Sequence, residues 1–365
     1  MTNLLRISPI LFVWMCLCSA PLWAKPLNHF QAIGSHNSYK QVMPNAALDY
    51  VATQNATLAK AINYSHPSLT KQLHLGIRHF EIDVLLDPIP GMYAKPTLEA
   101  ELGQSFFSDT ERALLKQPGL KVLHIPDVDV KSHCNLFSQC LTQLLDWSIQ
   151  HPEHFPLIIL MNVKETRVSF IDGQQAMAFT AADYSEIDKE IRQVLPANKL
   201  FSPDHLRANY ASLEEAVLTQ GWPELAKLKG KFIFLFDGKP GQTALYAKNH
   251  PSLKGRAMFA GFAPGQAESA FLIMNNPLKD FEAIRSAVKQ GYMVRTRSDA
   301  NLTVSNEVRA ARKHAAFLSG AHIISSDFYQ GSLQAQQAGY SVVFDANSFI
   351  RLNPISNAFS KDATN

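Results

Sequence analysis

The constraint that narrows the fold most is a series of short, mainly apolar runs rich in Ile, Val, Phe and Leu that end in polar residues: 30–35, 77–86, 121–124, 157–163, 231–236, 270–274, 292–296 and 322–325. Strands of an antiparallel sheet with one wet face alternate apolar and polar residues, whereas parallel strands covered on both faces are apolar nearly continuously. Residues 258–262 form a ninth candidate, read as a loop or short edge element because Pro264-Gly265 follows. Helices are expected between the runs, at 136–150, 185–193, 280–290 and 305–319. Ser185-Glu186-Ile187-Asp188 matches a capping box, and Gly291 supplies a C-terminal stop. Strand and helix alternating eight times predict a single-domain (β/α)8 TIM barrel, irregular near its first strands, with function at the C-terminal strand ends. A length of 365 residues suits one such domain.

The N-terminus reads as a secretory signal over residues 1–24: Arg6, then an apolar stretch over 10–17, then Ala24 before a cut. Pro9 and Pro21 interrupt it too often for a membrane span. The expected mature domain is 25–365, with 353–365 a flexible tail, in an exported protein, periplasmic or secreted. The leader holds Arg6 and no acid, so 34 basic residues become 33 against 31 acidic ones, and the formal charge falls from +3 to +2. Only Lys227, Lys229 and Lys231 make a basic run, and a nucleic-acid partner, which needs a clustered basic surface, is not expected.

Cys134 and Cys140 survive removal of the leader. An even count in an oxidising compartment favours one disulfide closing a small loop over two buried thiols. No second Cys or His pair stands at zinc spacing. The long insert 87–119 carries Ser105-Phe106-Phe107-Ser108; its aromatics either dip into a lipid interface or, as is commoner, close the barrel rim.

Candidate chemistry gathers at the run ends. His36 and Asn37 follow the first run, and His124 closes the third. Two histidines at one mouth can divide base and acid duties, since their intrinsic pKa lies near neutrality. Glu81 and Asp83, two apart on one strand, project to one side and can share a hard cation with the amide oxygens of Asn37 and Asn162. Lys164 lies on the same face as Asn162. Arg295 and Arg297 suit a phosphate clamp, although a salt bridge to Asp299 explains them equally well. Asp237 is a further mouth residue. His29, His74, His79, His133, His151 and His154 lack such a setting and are read as structural or exposed. No Gly-x-Ser-x-Gly elbow, Walker loop or His-Glu-x-x-His helix is present.

Taken together, Ser35-His36-Asn37-Ser38-Tyr39, Gly76-Ile77-Arg78-His79-Phe80-Glu81-Ile82-Asp83-Val84, Arg295-Thr296-Arg297-Ser298-Asp299 and the segment from Ser319 to Asp327 resemble the calcium-dependent bacterial phosphatidylinositol-specific phospholipases C. These belong to the wider barrel superfamily that includes eukaryotic phosphoinositide phospholipase C and the glycerophosphodiester phosphodiesterases. The resemblance implies that His36 and His124 are catalytic and that Asn37, Glu81 and Asp83 bind Ca2+. It implies that the inositol 2-hydroxyl attacks phosphorus, with His124 protonating the departing diacylglycerol. One position departs from the pattern: Asn162 stands where the family commonly has glutamate, which removes a carboxylate and weakens the expected metal site. A monomer acting transiently at a membrane surface on a phospholipid or inositol phosphodiester is expected. Two other readings stay open. A glycerophosphodiesterase would use the same groups, but that branch usually has Arg-Gly where this chain has Asn37-Ser38. A barrel that only binds an inositol headgroup is disfavoured by both histidines and favoured by Asn162.

Overall fold

Parallel strands covered by helices are buried on both faces, and the observed strands are so buried, although β2 and β7 carry charged residues among the apolar ones. We describe residues 22–299 and 302–355 of a computed structural model; most of the expected leader and of the tail after residue 355 lies outside the described residues. The strands are β1 (Phe30–Ser35), β2 (His79–Val84), β3 (Leu157–Val163), β4 (Phe232–Phe236), β5 (Met258–Ala260), β6 (Phe271–Ile273), β7 (Met293–Arg297), β8 (Ile323–Ser326) and β9 (Ile350–Leu352). The sheet order is β5-β4-β3-β2-β1-β8-β7-β6, with every neighbouring pair parallel. A single bridge, Gly261 to Phe271, spans the seam between β5 and β6. The result is a nearly closed TIM barrel, its strands buried at almost every position.

Two strand assignments differ from the sequence reading. Residues 121–124 are not a barrel strand. β2 already has β1 and β3 as neighbours, so this segment runs beside it and touches Leu85 and Leu136 through isolated bridges at Lys121. Its burial has another cause: the Lys121 ammonium lies 2.8 Å from Asp87, both side chains fully buried, and it also donates to the carbonyls of Gln117 and Gly119. The eighth strand is β5, expected to be a loop or edge, which pairs with β4 at Met258, Phe259 and Ala260. β9, not foreseen, pairs antiparallel with the first half of β1, while β1 meets β2 only at Gly34 and His79. Gly34 has to be glycine there, because a Cβ would lie 2.4 Å from the His79 side chain.

The helices follow the expected pattern, with caps displaced in one case. Ala181–Val194 begins four residues before the predicted start, and its capping box is Thr180 with Asp183. Phe281–Gln290 ends at Gly291 in the left-handed conformation. The insert after β2 folds into two short helices, Thr97–Leu102 and Asp109–Leu115. Phe106 and Phe107 are buried in a second apolar cluster with Met43, Val51, Val128 and Ile171. Their side chains are packed inside the protein and not presented on the surface of the insert. Cys134 and Cys140 are bonded, with their Cα atoms 5.2 Å apart.

Candidate active site

The turn after β1 sets the site. Asn37 takes a left-handed backbone (φ 45°), which swings the chain from the barrel end toward β2. Two bonds then lock it: Ser38 N–H donates to the Glu81 carbonyl, and Ser38 Oγ accepts from Glu81 N–H. Tyr39, fully buried, donates its hydroxyl to Asp83 at 2.6 Å. Burial and the Asp83 charge push the Tyr39 pKa well above its ordinary value, so it remains a donor.

β2 and β7 are not sheet neighbours, so the ion pair between Glu81 and Arg295 crosses the barrel interior. This contact assigns Arg295 a carboxylate partner, but it is Glu81 and not Asp299. Burial opposes the Glu81 charge, yet Arg295, then His36 and Arg297, prevail and hold its pKa at about 2. The other Glu81 oxygen accepts from the Asn162 amide at 2.9 Å. Asp83 accepts from Lys164 at 2.9 Å; burial works against the lysine's charge, but Asp83 raises its pKa. Arg297 is pushed up against burial by Glu81, Asp327 and Asp299. Asp237, raised by burial, completes a cavity of about 500 Å³ lined by His36, Glu81, Asn162, Lys164, Arg295 and Arg297.

Each expected catalytic histidine rests on a buried carboxylate through Nδ1. His36 Nδ1 lies 3.1 Å from Asp327, and its Nε2 lies 3.7 Å from Glu81. His124 Nδ1 lies 2.8 Å from Asp129. Tyr64 stands between them, stacked on His36 (ring centroids 5.6 Å) and edge-on to His124 (6.3 Å), with its hydroxyl accepting from Asn37 at 2.6 Å. Asp327 also lies 3.5 Å from His66 Nε2; burial opposes its charge, but His36 and His66 hold its pKa far below the usual carboxylate range.

The barrel therefore brings together His36, Asn37, Glu81, Asp83, Asn162, Lys164, Arg295 and Arg297, and places His124 beyond Tyr64. Glu165 also lines this cavity, its carboxylate accepting from Phe179 N–H and Gln242. Sequence reasoning missed Lys40, Tyr64, His66 and Asp129; Asp327 was noticed only as part of a motif. Asp129 carries one usable signal, its place five residues after His124 in a segment that must turn back at Pro126. Tyr64 and His66 lie in a loop with no periodicity to mark them.

Among the described residues no group of three or more His, Cys, Asp or Glu side chains is disposed to hold a metal. Two oxygens nonetheless suit a hard cation, because Asn37 Oδ1 and Asp83 Oδ1 are buried with no hydrogen-bond partner.

The family described as Ca2+-dependent phosphoinositide phospholipase C matches this sequence over residues 26–354. Among solved structures, the chain is similar to a calcium-dependent phosphoinositol-specific phospholipase C from Pseudomonas sp., at 18% identity and TM-score 0.56, covering 91% of this chain and 96% of that one. It is also similar to a Ca2+-dependent phosphatidylinositol-specific phospholipase C from Streptomyces antibioticus, at 17% identity and TM-score 0.55, covering 83% and 95%. At these identities the structures establish the fold alone. No curated protein sequence matches. The barrel, its charged mouth and a family match spanning nearly all of the described chain agree, and the chain belongs to the Ca2+-dependent phosphoinositide phospholipase C family.

Proposed function

We propose that this protein cleaves phosphatidylinositol-type lipids by histidine acid–base catalysis, releasing diacylglycerol and an inositol phosphate. The observation that carries the reading is the pair of histidines on either side of Tyr64, each with Nδ1 on a buried carboxylate. That contact places the Nδ1 proton toward the carboxylate and leaves Nε2 to act on substrate. His36 Nε2 accepts the proton of the inositol 2-hydroxyl as its oxygen bonds to phosphorus. The bond from phosphorus to the glycerol oxygen breaks, and protonated His124 gives that oxygen a proton. The product is an inositol cyclic phosphate, which water opens with the two roles reversed. Holding hydroxyl and phosphorus in one molecule removes the cost of bringing two reactants together. Arg295, Arg297 and Lys164 hold the phosphoryl oxygens and the headgroup.

The buried, donor-free oxygens of Asn37 and Asp83 fit a calcium ion, with Glu81 and Asn162 completing the set. When bound, the ion supplies charge stabilisation at the phosphoryl group. Arg295 and Lys164 already balance Glu81 and Asp83, so these residues would offer a calcium ion a nearly neutral site and hold it weakly. No helix among the described residues is long and apolar enough to cross a membrane. The leader over residues 1–24 supports export, where the mature protein works as a monomer that visits a membrane surface.

The test is phosphorus NMR of products from phosphatidylinositol vesicles, with calcium and with chelator. A cyclic phosphate signal that requires calcium supports both reaction and metal. Turnover of glycerophosphodiesters alone replaces the lipid assignment, and no turnover of either replaces the catalytic one.

A further inference from the structure

Lys40 is a fully buried lysine to which the reaction above gives no part. It follows the turn that carries His36, and its ammonium lies 3.0 Å from the same Asp129 oxygen that meets His124 Nδ1. It also donates to the Tyr64 carbonyl at 2.8 Å and stands 4.8 Å from the Tyr64 ring centroid. Its own carbonyl accepts from His66 N–H. One side chain thus joins the carboxylate behind one histidine to the ring that separates the two.

We infer that Lys40 is a positioning residue for His124, giving the buried Asp129 carboxylate a counter-charge and holding it in place whether His124 carries its proton or has given it up; this rests on the acid role proposed for His124. The side chain of Asp129 has no exposure to water. If His124 were its only partner, each proton transfer to the leaving group would strand a buried carboxylate without a counter-charge, which is costly. With Lys40 present, the anion is balanced before and after the transfer. The second consequence is geometric. Lys40 holds the very oxygen that meets His124, so Nδ1 of His124 stays the protonated nitrogen and Nε2 stays aimed at substrate.

The experiment compares wild type with Lys40→Met and Lys40→Arg in the full mature chain. Nitrogen-15 NMR reads the tautomer of His124 without substrate, and steady-state kinetics separate kcat from KM. In Lys40→Met we expect a mixture of His124 tautomers and a fall in kcat on the order of 100-fold, the cost of misplacing a reacting group by about 1 Å, with KM little changed. Lys40→Arg, which keeps the cation, restores the single tautomer and most of kcat. A Lys40→Met protein that melts lower but keeps one Nδ1–H tautomer and wild-type kcat overturns the inference, as does an arginine variant no better than methionine. If Lys40→Met fails to fold, Lys40→Gln, neutral but still able to donate to the Tyr64 carbonyl, takes its place; a single Nδ1–H tautomer with wild-type kcat there is equally fatal. The tautomer readout needs no turnover, so a wrong substrate assignment leaves this test standing.

Discussion

His36 and His124 make the same bond to a buried carboxylate, but the chain secures them in opposite ways. The partner of His36 lies 291 residues away on the chain, just after β8, so its geometry exists only once the barrel has closed. The partner of His124 is five residues away, in a segment tied to the barrel by isolated bridges and followed by the Cys134–Cys140 bond. One histidine is placed by global topology and the other by local structure. Local segments open more readily than the barrel they rest on, so the His124 side should be the first to lose order.

The largest expected effect would come from removing either histidine. His36→Ala and His124→Ala should each lower kcat by about 10²–10⁴-fold, the usual share of a general acid or base, with melting curves unchanged. A variant that retains wild-type turnover of phosphatidylinositol has lost no catalytic group, and the symmetry between the two sides disappears.

Next comes the carboxylate comparison. Asp129→Asn strands Lys40 as a buried cation and should destabilise the fold by about 3–5 kcal/mol. Asp327→Asn removes the carboxylate partner of His36 and His66 and should cost activity more than stability, because the amide oxygen can still accept from the imidazoles. Urea unfolding of the two variants decides the order; equal losses would mean that Lys40 finds water or another anion.

Reducing Cys134–Cys140 should cost about 2 kcal/mol for so short a loop. Turnover should decline at lower urea than the far-ultraviolet signal of the barrel does. Two free thiols in the unreduced mature protein would refute the bond itself.

The remaining effect concerns the barrel side alone. Burial holds the pKa of His79 and of His322 at about 3. For His322 the local reason is visible: Nδ1 accepts from Val294 N–H while Nε2 meets the Asn28 carbonyl, so a second proton has no place. Both histidines are protonated in the unfolded chain below about pH 6.5 and stay neutral in the folded one until about pH 3. The unfolded state therefore binds more protons in this window, and stability is lost as pH falls through it, by roughly 1.4 kcal/mol per pH unit for each histidine. Urea midpoints between pH 7 and 4.5 test this, and a flat profile would contradict the burial argument.

The barrel was readable because parallel strands with two covered faces leave runs with no other simple explanation. The exceptions have physical causes. Residues 121–124 are apolar and buried like a strand, but around a lysine–aspartate pair instead of a ladder. β5 shows as a run at 258–262, but Pro264-Gly265 just beyond it reads as a loop signal. Within the site, strand parity groups Glu81 with Asp83 and Asn162 with Lys164, since alternate residues of one strand share a face. Parity says nothing about loops, and Lys40, Tyr64, His66 and Asp129 are all loop residues.

What the sequence by itself determined was the alternation of strand and helix, the disposition of charges at the strand ends and the family they mark, all consequences of local periodicity and residue chemistry. Only the tertiary structure decided which charges meet. Glu81 takes Arg295 from across the barrel, Asp83 takes Lys164, and Asp129 is shared by His124 and Lys40. Opposite charges choose partners by distance, and distance between residues far apart in the chain exists only after the barrel has closed.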